Sequence, residues 1–178
     1  AEESGAKLLY VAHSDTLVDE ARASFEATPA YITATDAGHA VYFWSYADLV
    51  AFDSGVPKLA FVGKDFYLTW YNAYAKSERL KKKDCFMPDA DVLYDEFRIC
   101  SGYDNRAEYY ALGKRQSFFD NQADRVQVFQ AFKNYQKKLA GSVDPQFYRL
   151  TKSDDFDLIS FDEAQNATLI QARGVMQL

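Results

Sequence analysis

The chain has 178 residues, which fits one domain, because a single hydrophobic core usually grows to about 250 residues before it splits. Apolar residues make up 48% and charged residues 26%, ordinary values for a globular protein that argue against disorder. The net charge of −6 disfavours nucleic-acid binding, and no run approaches the roughly 18 apolar residues of a membrane span. We therefore expect one domain over residues 1–178, with flexible ends at 1–6 and 173–178.

The first third of the chain predicts short strands around one helix. Ser14 or Asp15 can cap that helix, and Pro29 lies just past its end. The sequence Val41-Tyr42-Phe43-Trp44 is apolar on both faces, so its strand is expected to be central and covered. The predicted strands of this part are residues 7–12, 31–35, 40–46 and 58–62.

The middle of the chain is predicted to be helical. Apolar residues recur with helical spacing over residues 66–83 and 121–140, and Gly141 ends the second helix. Shorter helices are predicted at residues 91–99 and 106–112. The last part returns to strand character at residues 147–151, 156–161 and 168–172, the last two forming an antiparallel hairpin. This order predicts an α+β fold, with a mostly antiparallel sheet built from N- and C-terminal strands and the middle helices packed on one side.

Two features favour an exported, periplasmic or secreted protein. The polar start Ala1 to Gly5 lacks a methionine and is typical of a segment exposed after signal-peptide removal; an artificially shortened chain is the alternative. Cys85 and Cys100 can form a disulfide in an oxidising compartment, closing a loop worth about 3 kcal/mol. Two reduced thiols in the core are the alternative.

Catalytic and metal-binding motifs are weak in this sequence. His13-Ser14-Asp15 contains the residue types of a hydrolase triad, but triads assemble from separate loops, so a helix N-cap is the preferred interpretation. His39 is interpreted as a turn residue. A pair of carboxylates such as Asp53 and Asp65 can serve as an acid and a base, but the sequence gives no geometry for them.

Bound cations and cofactors are not expected either. The two histidines and two cysteines match no zinc spacing, and the acids between Asp89 and Glu96 lack the glycine and final glutamate of a calcium loop. We interpret them as helix-start acids. The chain has no glycine-rich phosphate-binding loop, so no nucleotide cofactor is predicted.

The unusual feature is the aromatic content of 16%, from 14 Phe, 13 Tyr and 2 Trp. In the middle third, rings and cations occur together, a mixture typical of protein interfaces and of pockets for acidic or glycan ligands. The alternative is that the rings are core and the lysines a solvated helix end. The candidate binding residues are Trp70, Tyr71, Tyr74, Arg79, Lys82, Tyr109 and Tyr110.

The hypothesis from sequence is a non-enzymatic exported domain that recognises a partner protein or a small ligand through this aromatic-rich surface. One alternative is a small hydrolase-like enzyme that uses carboxylates or His13. Another is an immunity- or inhibitor-type protein, whose acidic charge complements a basic target.

Overall fold

The computed structural model describes residues 5–81, 86–103, 105–151, 156–162 and 164–176. Those residues form three β-strands and eight α-helices. Contacts divide the chain into two compact units, which we call the sheet unit (residues 1–59, 149–167 and 171–178) and the helical unit (residues 60–148 and 168–170). The single domain predicted over residues 1–178 stays a prediction.

The sheet unit is built around a small parallel sheet. Its strands are β1 (Lys7–Ala12), β2 (Ala40–Ser45) and β3 (Leu158–Phe161), arranged in the order β2-β1-β3. Both neighbours pair with β1 in parallel. The predicted mostly antiparallel sheet is therefore wrong, and so is its origin in terminal strands alone, because β2 comes from residues 40–45. The central strand is β1, and β2 lies at an edge instead of the predicted centre.

Two helices lie between β1 and β2 along the chain, and a third follows β2. They are α1 (Asp15–Glu26), α2 (Pro29–Asp36) and α3 (Tyr46–Ser54). The hydroxyl of Ser14 accepts a hydrogen bond from the Leu17 amide and caps α1, as predicted. The strand predicted at residues 31–35 is wrong: Thr28 is extended and Pro29 occupies the first turn of α2, where its fixed φ favours a helix.

The helical unit confirms the helices predicted in the middle of the chain. They are α4 (Lys64–Lys81), α5 (Ala90–Ser101), α6 (Arg106–Tyr110) and α7 (Gln122–Leu139). Their core is largely aromatic, with Tyr67, Phe97 and Tyr135 fully buried and in mutual ring contact. Rings of this size bury a large apolar area each and dominate the packing energy.

The other predicted strands are largely absent from the described chain. Residues 58–60 form a 3₁₀ turn, with one bridge between Phe61 and Val143. Residues 147–151 are irregular. Residues 169–175 form α8 (Leu169–Val175), so the predicted hairpin is wrong and β3 pairs with β1 instead.

Candidate functional site

The aromatic face of α4 is divided between the core and an open groove. Tyr67 is fully buried and Trp70 is 6% exposed, whereas Tyr74 is half-buried. The rings of Trp70 and Tyr74 stack with centroids 4.9 Å apart and planes 15° apart. Both line a groove of about 400 Å³ formed by α4 and α7. The stack holds the Tyr74 ring in place, so the groove has a fixed aromatic floor.

Small side chains on α4 open this groove. Thr69, Ala73 and Ser77 follow at spacings of four residues, so they lie one above another on a single face of the helix. None of them can fill the space opposite the α7 side chains. The full lining is Phe66, Thr69, Trp70, Ala73, Tyr74, Ser77, Glu78, Asn134 and Lys138.

Polar atoms with defined roles stand beside the aromatic floor. The Oδ1 atom of Asn134 accepts a hydrogen bond from Trp70 Nε1 at 3.0 Å, which fixes the amide so that its nitrogen can donate to a ligand. The hydroxyl of Thr69 donates to the Asp65 carbonyl at 3.0 Å, so its oxygen can still accept. Glu78 and Lys138 add one charge of each sign. The groove therefore offers both donors and acceptors next to an apolar ring.

Three other predicted rings lie outside this groove. The phenol of Tyr71 donates to the Pro88 carbonyl at 2.6 Å, and burial raises the pKa of Tyr71, which keeps that donor protonated. Tyr109 is fully buried and donates to Glu96 Oε1 at 2.8 Å. Tyr110 packs edge-to-face against Phe129. Of the five predicted rings, the structure brings Trp70 and Tyr74 together in one open site.

The predicted cations and cysteines add little to the site. Arg79 is exposed on α4 and does not line the groove. Lys82 and Cys85 lie outside the described residues. Cys100 is buried in the helical core, and burial raises the pKa of its thiol. The disulfide between Cys85 and Cys100 stays a prediction.

Ser14, Asp15 and His39 are held in structural roles. Ser14 caps α1, and Asp15 Oδ1 accepts a hydrogen bond from Lys58 Nζ at 2.9 Å, so neither is arranged as a relay with His13. The Nδ1 atom of His39 accepts from the Ala6 amide at 3.0 Å, consistent with a turn residue.

The carboxylates of Asp53 and Asp89 likewise accept hydrogen bonds from backbone amides. Asp53 accepts from the amide and hydroxyl of Thr151, whereas Asp65 belongs to the other unit. Asp89 caps α5 by accepting from the Asp91 amide at 2.8 Å, the helix-start role that the sequence predicts. The described residues contain no group of three metal-ligating side chains.

Sequence reasoning missed the polar half of the groove, above all Asn134 and Lys138. Their spacing of four residues puts them on one face of α7, but the sequence does not show that this face meets the small residues of α4.

Comparison of the chain with protein-family models, with curated proteins and with solved structures finds no match. Within the described part of the chain, no helix is both long enough and apolar enough to cross a membrane.

Proposed function

We propose that this protein is a non-enzymatic binding domain that takes a saccharide in the groove between α4 and α7. The observation that carries the proposal is the juxtaposition of the Tyr74 ring, held by its stack on Trp70, with the amide of Asn134. The groove volume of about 400 Å³ lies within the range of small-ligand sites, about 300–1,000 Å³.

A sugar ring matches this lining chemically. One face of a pyranose carries C–H groups that pack on an aromatic ring, while its hydroxyls both donate and accept hydrogen bonds. Tyr74 offers the ring, and the side chains of Thr69, Ser77, Glu78, Asn134 and Lys138 offer the polar partners. A purely apolar ligand would leave several of these polar groups desolvated without partners, which is unfavourable.

Tryptophan fluorescence gives a direct test, because the chain has two tryptophans and one of them lines the groove. Trp44→Phe leaves Trp70 as the single reporter. We expect an oligosaccharide array to identify glycans that bind, and the same glycans to change the emission of Trp70 on titration.

Matched variants of α4 separate binding from folding. Tyr74→Ala removes the groove floor and is expected to weaken binding about tenfold or more, a loss typical of an aromatic contact in a well-packed site. Tyr71→Phe removes only the hydrogen bond to Pro88, so it should bind as the parent does. A protein that binds no array glycan, or whose binding survives Tyr74→Ala and Asn134→Ala with unchanged affinity, does not use this groove for saccharides.

The location of the protein in an oxidising compartment is also a proposal. Its support is the pair of cysteines, since disulfides persist mainly in secreted and periplasmic proteins. The thiol measurement described in the Discussion tests that part independently of the groove.

A further inference from the structure

The outer edge of β2, on the side away from β1, has a defined hydrogen-bonding pattern. The amide of Ala40 donates to the Ala6 carbonyl, and residues of a parallel strand alternate in the direction of their backbone groups. The backbone N–H and C=O groups of Tyr42 and Trp44 therefore point toward β1. Those of Val41 and Phe43 point away from β1, in the plane of the sheet. The guanidinium of Arg22 on α1 donates to the Phe43 carbonyl at 3.1 Å, which confirms the outward direction of that group.

A groove of about 500 Å³ runs along this edge. Its lining includes Arg22 and Glu26 of α1 and Tyr31 and Thr35 of α2. No residue of α2 is buried, and Ile32 is 60% exposed, so apolar surface flanks the edge. A strand edge that directs backbone groups outward beside apolar surface can pair with another strand.

The two charges are placed along the edge in a fixed order. Helix α1 follows β1 and returns to the start of β2, so it runs opposite to both parallel strands. Arg22 contacts Phe43, and Glu26 lies one helical turn further along, about 5–6 Å toward the Val41 end of β2. The α1 side chains of the lining therefore place a positive charge near Phe43 and a negative charge near Val41. The other two carboxylates here are paired within the chain, Asp19 with Arg22 and Asp48 with Lys58.

We propose that two copies of this chain form a dimer through antiparallel pairing of their β2 edges, with the two-fold axis at Tyr42. In that register Val41 of each copy lies opposite Phe43 of the other, and the N–H and C=O groups of these residues point at one another. The Phe43 carbonyl, which already accepts from Arg22, takes the Val41 amide of the second copy on its other lone pair. Arg22 of each copy then lies opposite Glu26 of the second copy, because the order of charges is reversed across the axis. A two-fold interface needs such a self-complementary patch.

Charge-reversal variants test this register. Arg22→Glu puts two negative charges in each cross-pair of its own dimer, and Glu26→Arg puts two positive charges there. Sedimentation velocity from about 1 to 100 µM should show the wild type as a dimer and each variant with a dissociation constant at least about tenfold higher. An equimolar mixture of the two variants should restore dimers, and native mass spectrometry should find them to be heterodimers, since opposite charges again face each other in both pairs.

Val41→Pro tests the backbone pairing without altering charge. Its amide points away from β1, so proline costs no hydrogen bond within the sheet but removes a donor from the dimer edge. We expect a monomer with a circular dichroism spectrum like that of the wild type. A wild type that stays monomeric throughout, a mixture that yields no heterodimer, or a dimer that persists in both charge variants overturns the proposal.

Discussion

The loop that follows α6 is held by a buried carboxylate, and replacing it should measurably destabilise the helical unit. Glu96 is completely buried. Its Oε1 atom accepts hydrogen bonds from Tyr109 Oη at 2.8 Å and Ser117 Oγ at 2.6 Å, and its Oε2 atom accepts from the Phe118 amide at 2.8 Å. All three partners donate, so the site requires two accepting oxygens.

Glu96→Gln keeps the size of the side chain and one accepting oxygen. The amide nitrogen that replaces Oε2 faces another donor, the Phe118 N–H, so one buried hydrogen bond is lost and two donors are brought together. A buried donor left without a partner costs about 1–3 kcal/mol, and we expect a loss of about 2 kcal/mol. Glu96→Ala removes all three bonds and leaves a cavity, for which we expect about 4 kcal/mol.

The assay is urea unfolding followed by circular dichroism at neutral pH. Glu108→Gln is the matched control, because Glu108 is exposed on α6 and should change the free energy of unfolding by less than about 0.5 kcal/mol. Hydrogen exchange should also accelerate at the Phe118 amide in Glu96→Gln. If Glu96→Gln unfolds at the same urea concentration as the control, the carboxylate does not hold this loop.

Three further predictions concern charge and redox state. Burial raises the pKa of the Asp144 carboxyl although Tyr135 and Gln146 donate hydrogen bonds to it, so in the folded protein this carboxyl keeps its proton to a higher pH than in the unfolded chain. The wild type therefore loses stability as pH rises above about 3.8, and urea titrations should show Asp144→Asn gaining stability relative to it. A difference between the two that does not change with pH would refute this. The hydrogen bond from Lys58 lowers the pKa of Asp15. Partial burial alone would raise the pKa of Asp48, but the hydrogen bonds from Lys58 and Ser45 together outweigh it and lower that pKa. Lys58→Met should therefore lower the free energy of unfolding by about 1 kcal/mol at pH 7, a small effect because the cluster is exposed to solvent. This difference from the wild type should disappear as pH falls through the lowered pKa values of the two carboxyls. A difference that persists at about pH 2 would contradict the prediction. A thiol assay on unreduced, unfolded protein should find no free thiols if Cys85 and Cys100 are bonded, and two free thiols would remove the support for export.

The long elements were predictable because local signals agree with their burial. Helix α7 has an asparagine cap at Asn121, apolar residues at helical spacing and Gly141 just beyond its end, and it forms over Gln122–Leu139. Strand β1 is short and apolar, and its Leu9 and Val11 are buried. The pattern of apolar side chains specifies one conformation in both elements, and in α7 the capping residues support it.

The sheet topology was not predictable from the same signals, because pairing direction depends on contacts distant in sequence. Strand β3 pairs with β1 about 150 residues earlier, and the segment after it forms α8 in place of a returning strand. The β-branched and aromatic residues of 31–35 favoured a strand, but Pro29 and the packing of Tyr31 against Phe25 of α1 fix a helix there. Tertiary packing overrides such weak local preferences.

The candidate site shows the same division between local and distant information. The aromatic residues of α4 stood out in the sequence, yet their roles were decided by which neighbour each one meets. Tyr67 contacts Tyr94 and Tyr135 and is part of the core, whereas Tyr74, seven residues later, lies at the margin of that cluster and stacks on Trp70. Spacing of seven residues places both rings on the same side of the helix. The change from core to groove therefore arises from the small side chains of Ala73 and Ser77 and from where α7 presents Asn134, a relation between two helices that no single segment encodes.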